Sequence, residues 1–136
     1  AQMKQLDCDF QPYGCSMLYT QAFLDIAMEN AEGLRLCNFI NPDSTDPTYL
    51  AISEAYEAAT GNMTDVYVTN VYDCFMLACD ALEAVGSDSA AMTEWIAGVQ
   101  EWPGACGPIT FDETRHPVRQ LYRFEVQDGQ FVYTGE

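Results

Sequence analysis

The stretch TDVYVTNVYDCFMLACDALEAVGSD, residues 64–88, is a long helix with apolar side chains on nearly every side and polar caps at both ends. Asp65 is placed to accept the first free amides and Gly86 to end the helix. Val68, Val71, Tyr72, Phe75, Cys79 and Leu82 follow helical spacing and form one expected buried face. Met76, Leu77, Ala81 and Ala84 add a second apolar strip, which leaves Asp73, Asp80 and Glu83 as the expected wet positions. Such a helix needs cover on several faces, and the chain around it has 136 residues to supply that cover.

Outward from this helix the grammar is mixed. Upstream, CDFQPYG (8–14) predicts a short strand stopped by Pro12 and Gly14, and CSMLY a loop. Residues 1–5 read as the tail of a helix. Thr20 caps a helix over 21–30, and LRLCNFI (34–40) alternates as a strand. NPDSTDP (41–47) reads as a linker that launches a helix, with Asp46 as its cap, Pro47 at its first position and Gly61 at its left-handed end. Downstream, Ser87 or Asp88 caps a third helix whose inner face is Met92, Trp95, Ile96 and Val99. After Pro103 the pattern turns to strands, and Asp128-Gly129 marks a hairpin. The order is βαβ, linker, three helices, strands, which implies a parallel pair and a very small sheet. The helical middle lacks strands of its own to lie on, so the chain reads as part of a larger α/β architecture.

Composition narrows the functions. A net charge of −16, from 21 acidic and 5 basic side chains, makes nucleic acid or an anionic membrane surface a poor partner, because both need lysine and arginine. No apolar run is long enough to span a bilayer, and AQMKQLD at the start shows no basic-then-apolar leader. Six cysteines and one histidine, His116, show no CxxC and no zinc spacing, so no metal and no cofactor is expected. The cysteines sit among apolar neighbours and are expected to be mostly buried free thiols; in an exported chain they could pair, with 15 full connectivities open. No nucleophile–base or metal set appears, and none of these residues forms a catalytic constellation. His116 belongs to a turn beside Pro117 and is expected to be exposed. Asp73 and Asp80 fit a solvated face better than an acid–base pair. The Asn62-Met63-Thr64 sequon reads as a chance match.

Several short motifs, in order, resemble one family. They are Tyr72-Asp73 in the long helix, Gly86-Ser87-Asp88, Gly107 to Asp112, and Asp128-Gly129, with Ala31-Glu32-Gly33 and STDPTYLAISEAYEAATG upstream. Together they resemble the end of the type I periplasmic solute-binding proteins, and most of all the branched-chain amino acid (Leu/Ile/Val) binding proteins of ABC importers. The resemblance covers essentially the whole chain. Two departures stand out: ETRHP replaces the family's Asn-Gly-type turn, and six cysteines are many for it.

The resemblance implies a fold class: the C-terminal part, about a third, of a two-lobed type I periplasmic binding protein, with Rossmann-like lobes joined by crossing strands. It implies that 1–40 and 114–136 belong to the C-terminal lobe and 46–105 to the helical part of the N-terminal lobe. Residues 41–45 and 106–113 would be crossings. The long helix would then pack on a parallel sheet built mainly upstream of this chain. The implied function is an extracytoplasmic component, periplasmic or membrane-anchored, that binds a small polar molecule between the lobes and delivers it to a permease. An acidic residue that holds an amino group in the amino acid binders falls near Ser16, with Met17 and Tyr19 alternatives one to three positions away. The second contact falls at Thr69, where the family often has an aromatic. Neutral Ser16 weakens the amino acid reading, and small, polar Thr69 points to a larger or more polar ligand. Ser16 reads equally well as a plain loop residue and Thr69 as a plain first-turn residue, and Tyr13 and Tyr19 as core or rim. Two rivals remain: a ligand-sensing domain of a receptor or regulator, and a truncated domain that pairs with a second copy.

Overall fold

The computed structural model describes residues 2–135, without the side chains of Met3 and Lys4. The chain forms two halves. One is a four-stranded sheet in the order β1-β2-β6-β7, built from β1 (Tyr13–Gly14), β2 (Arg35–Asn38), β6 (Tyr122–Gln127) and β7 (Gln130–Gly135). The other holds α3 (Pro47–Thr60), α4 (Val66–Val85) and α5 (Ser89–Ala97) with a three-stranded sheet of β3 (Trp102–Gly104), β4 (Gly107–Phe111) and β5 (Pro117–Val118). A one-turn α1 (Gln2–Gln5) precedes them. The chain leaves the first half after β2 and returns to it just before β6.

In the first half β1 and β2 pair parallel around α2 (Gln21–Ala27), as the βαβ order requires, and β2–β6–β7 continue antiparallel. The strand expected over 8–14 shrinks to Tyr13–Gly14. Pro12 has no amide to add to the ladder and contributes only its carbonyl, which accepts from Arg35 N at 3.1 Å. The expected loop at 15–19 is wound into a 3-10 turn, Ser16–Leu18, and the helix expected over 21–30 stops at Ala27. Met28 there adopts φ 51°, and a second 3-10 turn, Met28–Ala31, follows. Asp128 and Gly129, at φ 51° and 71°, make the hairpin turn between β6 and β7, with Glu32 accepting from Asp128 N at 3.0 Å. The core on one face of this sheet is Tyr19, Leu24, Ala31, Leu34, Leu36, Ile40, Phe124 and Val126.

In the second half the caps fall where local chemistry puts them. Asp46 accepts from Thr48 N and Tyr49 N, Asp65 from Tyr67 N and Val68 N, and Asp88 from Ala91 N. Gly61 ends α3 at φ 72°. Residues 106–113, read as a crossing, hold β4, which pairs antiparallel with both β3 and β5. The ETRHP turn that follows is closed by Asp112, whose carboxylate accepts from Thr114 N, Thr114 Oγ1 and His116 N; His116 is exposed.

The inner face of α4 differs from the expected one. Its buried residues are Val66, Thr69, Asp73, Leu77 and Ala81, whereas Val71 (69% exposed), Phe75 (67%), Cys79 and Leu82 face outward. A helix apolar on all sides does not specify which strip meets its neighbours; here the strip that carries Asp73 wins, because Asp73 has partners there. Asp73 is therefore a buried carboxylate, and Asp80 accepts from Trp102 Nε1 at 2.7 Å, so both pin the β3–β4 hairpin to α4. The cysteines are corrected too. Cys8, Cys15, Cys37, Cys74 and Cys79 are exposed and Cys106 is half-buried. Apolar neighbours in sequence do not bury a side chain when it stands on the open face of a sheet or on the outward strip of a helix.

Candidate functional site

Ser16 and Met17 stand in the 3-10 turn that follows β1, and this turn lies against both β2 and α4. Thr69 occupies the first turns of α4. The fold thus brings together the two elements that carry the sequence-derived contacts. Their side chains play different parts. Ser16 is half-buried and Met17 exposed, so both can be reached from solvent. Tyr19 is a core residue: its ring stacks on Phe131 with centroids 4.5 Å apart and tilts against Phe124 at 4.8 Å. Burial, with the nearby Tyr49 phenol adding to it, pushes the Tyr19 hydroxyl up to about 12. Tyr13 is exposed on the edge strand.

Thr69 is fully buried, and its hydroxyl donates to Val66 O at 3.3 Å. Beside it, burial pushes the Cys106 thiol up, while a hydrogen bond to Thr69 and the charge of Arg119 work the other way. The Tyr49 phenol is likewise raised, first by burial and then by Cys106. Tyr49, Thr69 and Cys106 form a small polar group, of which the sequence reading singled out Thr69 alone. The only signal for Tyr49 was the capping geometry that places it in the first turn of α3.

A second cluster was also missed. Arg119 donates to Asp73 and, at 2.8 Å, to Asn70 Oδ1, with its guanidinium 5.3 Å from the centroid of the Phe39 ring. The other oxygen of Asp73 accepts from Ala105 N at 2.7 Å. Both ionic side chains are buried, at 6% and 4% exposure. A cavity of about 310 Å³ adjoins them, walled by Phe39, Leu77, Ile109 and Phe111. None of Ser16, Met17, Tyr19 and Thr69 lines it. Among the described residues no group of three or more His, Cys, Asp or Glu is arranged to hold a metal ion, and no helix is long and apolar enough to cross a membrane.

The chain belongs to the periplasmic binding protein family: the family model of that description matches residues 1–130. No curated protein matches the chain. Among solved structures it is similar to a leucine binding protein, LivK, from Thermotoga maritima, with TM-score 0.85 and 24% identity over 98% of this chain and 39% of that one. It is also similar to the branched-chain amino acid binding protein LivJ from Streptococcus pneumoniae in complex with isoleucine, with TM-score 0.79 and 18% identity over 98% and 40% of the two chains. A third is a solute binding protein from R. palustris in complex with benzoate, with TM-score 0.73 and 23% identity over 91% and 35%. The fold is therefore that of a type I periplasmic binding protein in part, and the chain spans about two-fifths of the length of these structures.

Proposed function

We propose that this chain is part of an extracytoplasmic solute-binding protein of an ABC importer, which captures a small polar molecule between two lobes and presents it to a permease. Residues 1–40 and the terminal hairpin would belong to one lobe and 46–105 to the other, with the rest of both lobes supplied by sequence outside residues 1–136. The mechanism is closure of the lobes around the ligand, with no chemistry on it. The observation that carries this reading is the contact between the 3-10 turn of Ser16–Leu18 and α4 within a chain of this family.

In this reading Ser16 and Met17 touch the ligand, and Thr69 and Tyr19 shape the floor beneath it. Thr69 is fully buried and its hydroxyl is engaged by Val66 O and Cys106, so it offers the ligand no free donor. Neutral Ser16 offers both a donor and an acceptor but no charge for a lone ammonium. An amino acid therefore needs a carboxylate from elsewhere in the protein, whereas a small carboxylate or amide does not. The test is calorimetric titration of the full-length protein with leucine, isoleucine, benzoate and small amides, then of its Ser16→Ala variant. Binding to at least one, weakened roughly three- to tenfold by loss of one hydrogen bond, is expected. Silence toward the whole panel would sink the proposal.

A second reading is favoured by one observation. The outward strip of α4, with Tyr67, Val71, Phe75 and Leu82 exposed, is apolar enough to pair with a second copy of the chain. A concentration-dependent dimer without any small-molecule response would support it over solute capture.

A further inference from the structure

Asp73 gathers more of the fold around it than any ligand reading needs. One carboxylate oxygen accepts the Ala105 amide, which sits between β3 and β4, and the other accepts from Arg119, which sits between β5 and β6. Arg119 in turn is held by Asn70 of α4 and lies over the ring of Phe39, the first residue beyond β2. The chain passes between its two halves only twice in the described residues, after Ile40, next to Phe39, and directly after Arg119. Both passages are thus fastened to the same two turns of α4.

The arrangement is demanding. A Cβ on Gly104 would come within 3.1 Å of Asp73 Oδ2, 3.0 Å of Gly107 O and 2.8 Å of Ile109 Cδ1, so the carboxylate needs a glycine to reach its place. Arg119 Nε is buried without a hydrogen-bond partner among the described residues, so the guanidinium is positioned for its other contacts at the expense of this one. A chain with 5 basic residues against 21 acidic ones spends one of them here, out of reach of solvent. Buried ion pairs contribute little net stability compared with apolar side chains of the same volume; what they supply is a single defined geometry.

We propose that the Asp73–Arg119 pair is the pivot between the two halves. It clamps the roots of both passages, beside Phe39 and at Arg119, onto α4, and confines bending to residues 41–45 and 120–121. Arg119 is a positioning residue in this scheme and touches no ligand. Its bearing on solute capture rests on the function proposed above. If loss of the clamp leaves about a tenth of the molecules able to close correctly, the apparent affinity falls about tenfold.

The test uses the full-length protein with non-cysteine spin labels at Glu57 and Gln130, both exposed and one in each half. Pulsed dipolar spectroscopy without ligand is expected to give one narrow distance population for the unsubstituted protein. The variant Asp73→Asn/Arg119→Met, which removes both charges together and keeps an acceptor for the Ala105 amide, is expected to keep its fold and to gain a second distance population. A folded double variant with the original single population overturns the proposal, because the pair is then packing alone. A double variant that does not fold overturns it too, because the pair is then required for the fold and not for its angle. Neither readout involves a ligand, so a failed titration and a failed pivot are separate results.

Discussion

Replacing Phe75 with alanine probes the strip of α4 that points away from the rest of this chain. Phe75 is 67% exposed, whereas Phe124, at the centre of the four-stranded sheet, is 1% exposed and packs on Tyr19. Truncating a fully buried phenylalanine costs about 3–5 kcal/mol, from the transfer of the ring and the cavity it leaves. Truncating one that stays in water costs within about 0.5 kcal/mol. If a sheet from the remainder of the protein lies on α4, Phe75 becomes a core residue there, and Phe75→Ala should destabilise the full-length protein on the scale of Phe124→Ala. The assay is urea unfolding of the two variants beside the unsubstituted protein, read as a shift in midpoint at constant slope. A loss of roughly 3 kcal/mol or more for both is expected. A Phe75→Ala variant indistinguishable from the parent, while Phe124→Ala loses its several kcal/mol, would refute the two-lobe arrangement and leave α4 facing solvent.

Four further outcomes are expected. The Tyr19 hydroxyl holds its proton in the folded chain to about 12, and an unfolded tyrosine releases it near 10. Stability should therefore be intact below that lower value and fall through the window between them, by roughly 3 kcal/mol in all, and Tyr19→Phe should flatten this slope in denaturation measured against pH. Gly104→Ala should destabilise the fold by roughly 1–3 kcal/mol, since its methyl meets Ile109 and the Gly107 carbonyl as well as Asp73, and thermal unfolding would detect it. Alkylation followed by mass spectrometry should modify Cys106 last, because it is the half-buried thiol and its proton is held more tightly, and the exposed Cys8, Cys15 and Cys37 first. Asp46→Ala should cost about 1 kcal/mol through loss of the cap on α3, with Asp46→Asn retaining most of it.

What could be read from the sequence follows a physical division. Asp46, Asp65, Asp88, Gly61 and the Asp128-Gly129 turn act within four residues of themselves, and all were legible. The hydrophobic face of α4 was not, because a helix with apolar residues on every side carries no directional signal; its inner strip is chosen by Asp73, whose partners lie 32 and 46 residues away. The exposed cysteines were misread for a related reason. Cys37 alternates correctly in β2, but burial depends on whether that face of the sheet is covered, and alternation alone does not say which face is.

The candidate site divides the same way. Composition and spacing disfavoured nucleic acid and gave no catalytic set, but they could not pick out Ser16 or Thr69, which are ordinary residues in ordinary places; only the resemblance singled them out. The structure adds that the 3-10 turn and α4 meet, that Thr69 and Tyr19 lie below the surface, and that Ser16 and Met17 stay within reach of solvent. It adds also a buried charge pair, Asp73 with Arg119, set against Phe39. A protein that works by closing two lobes needs its freedom localised: some residues must bend so that the rest can remain rigid. In the proposed scheme Arg119 and Asp73 mark where the bending stops, and that boundary would decide whether the Ser16–Leu18 turn and α4 meet the same ligand in each closure.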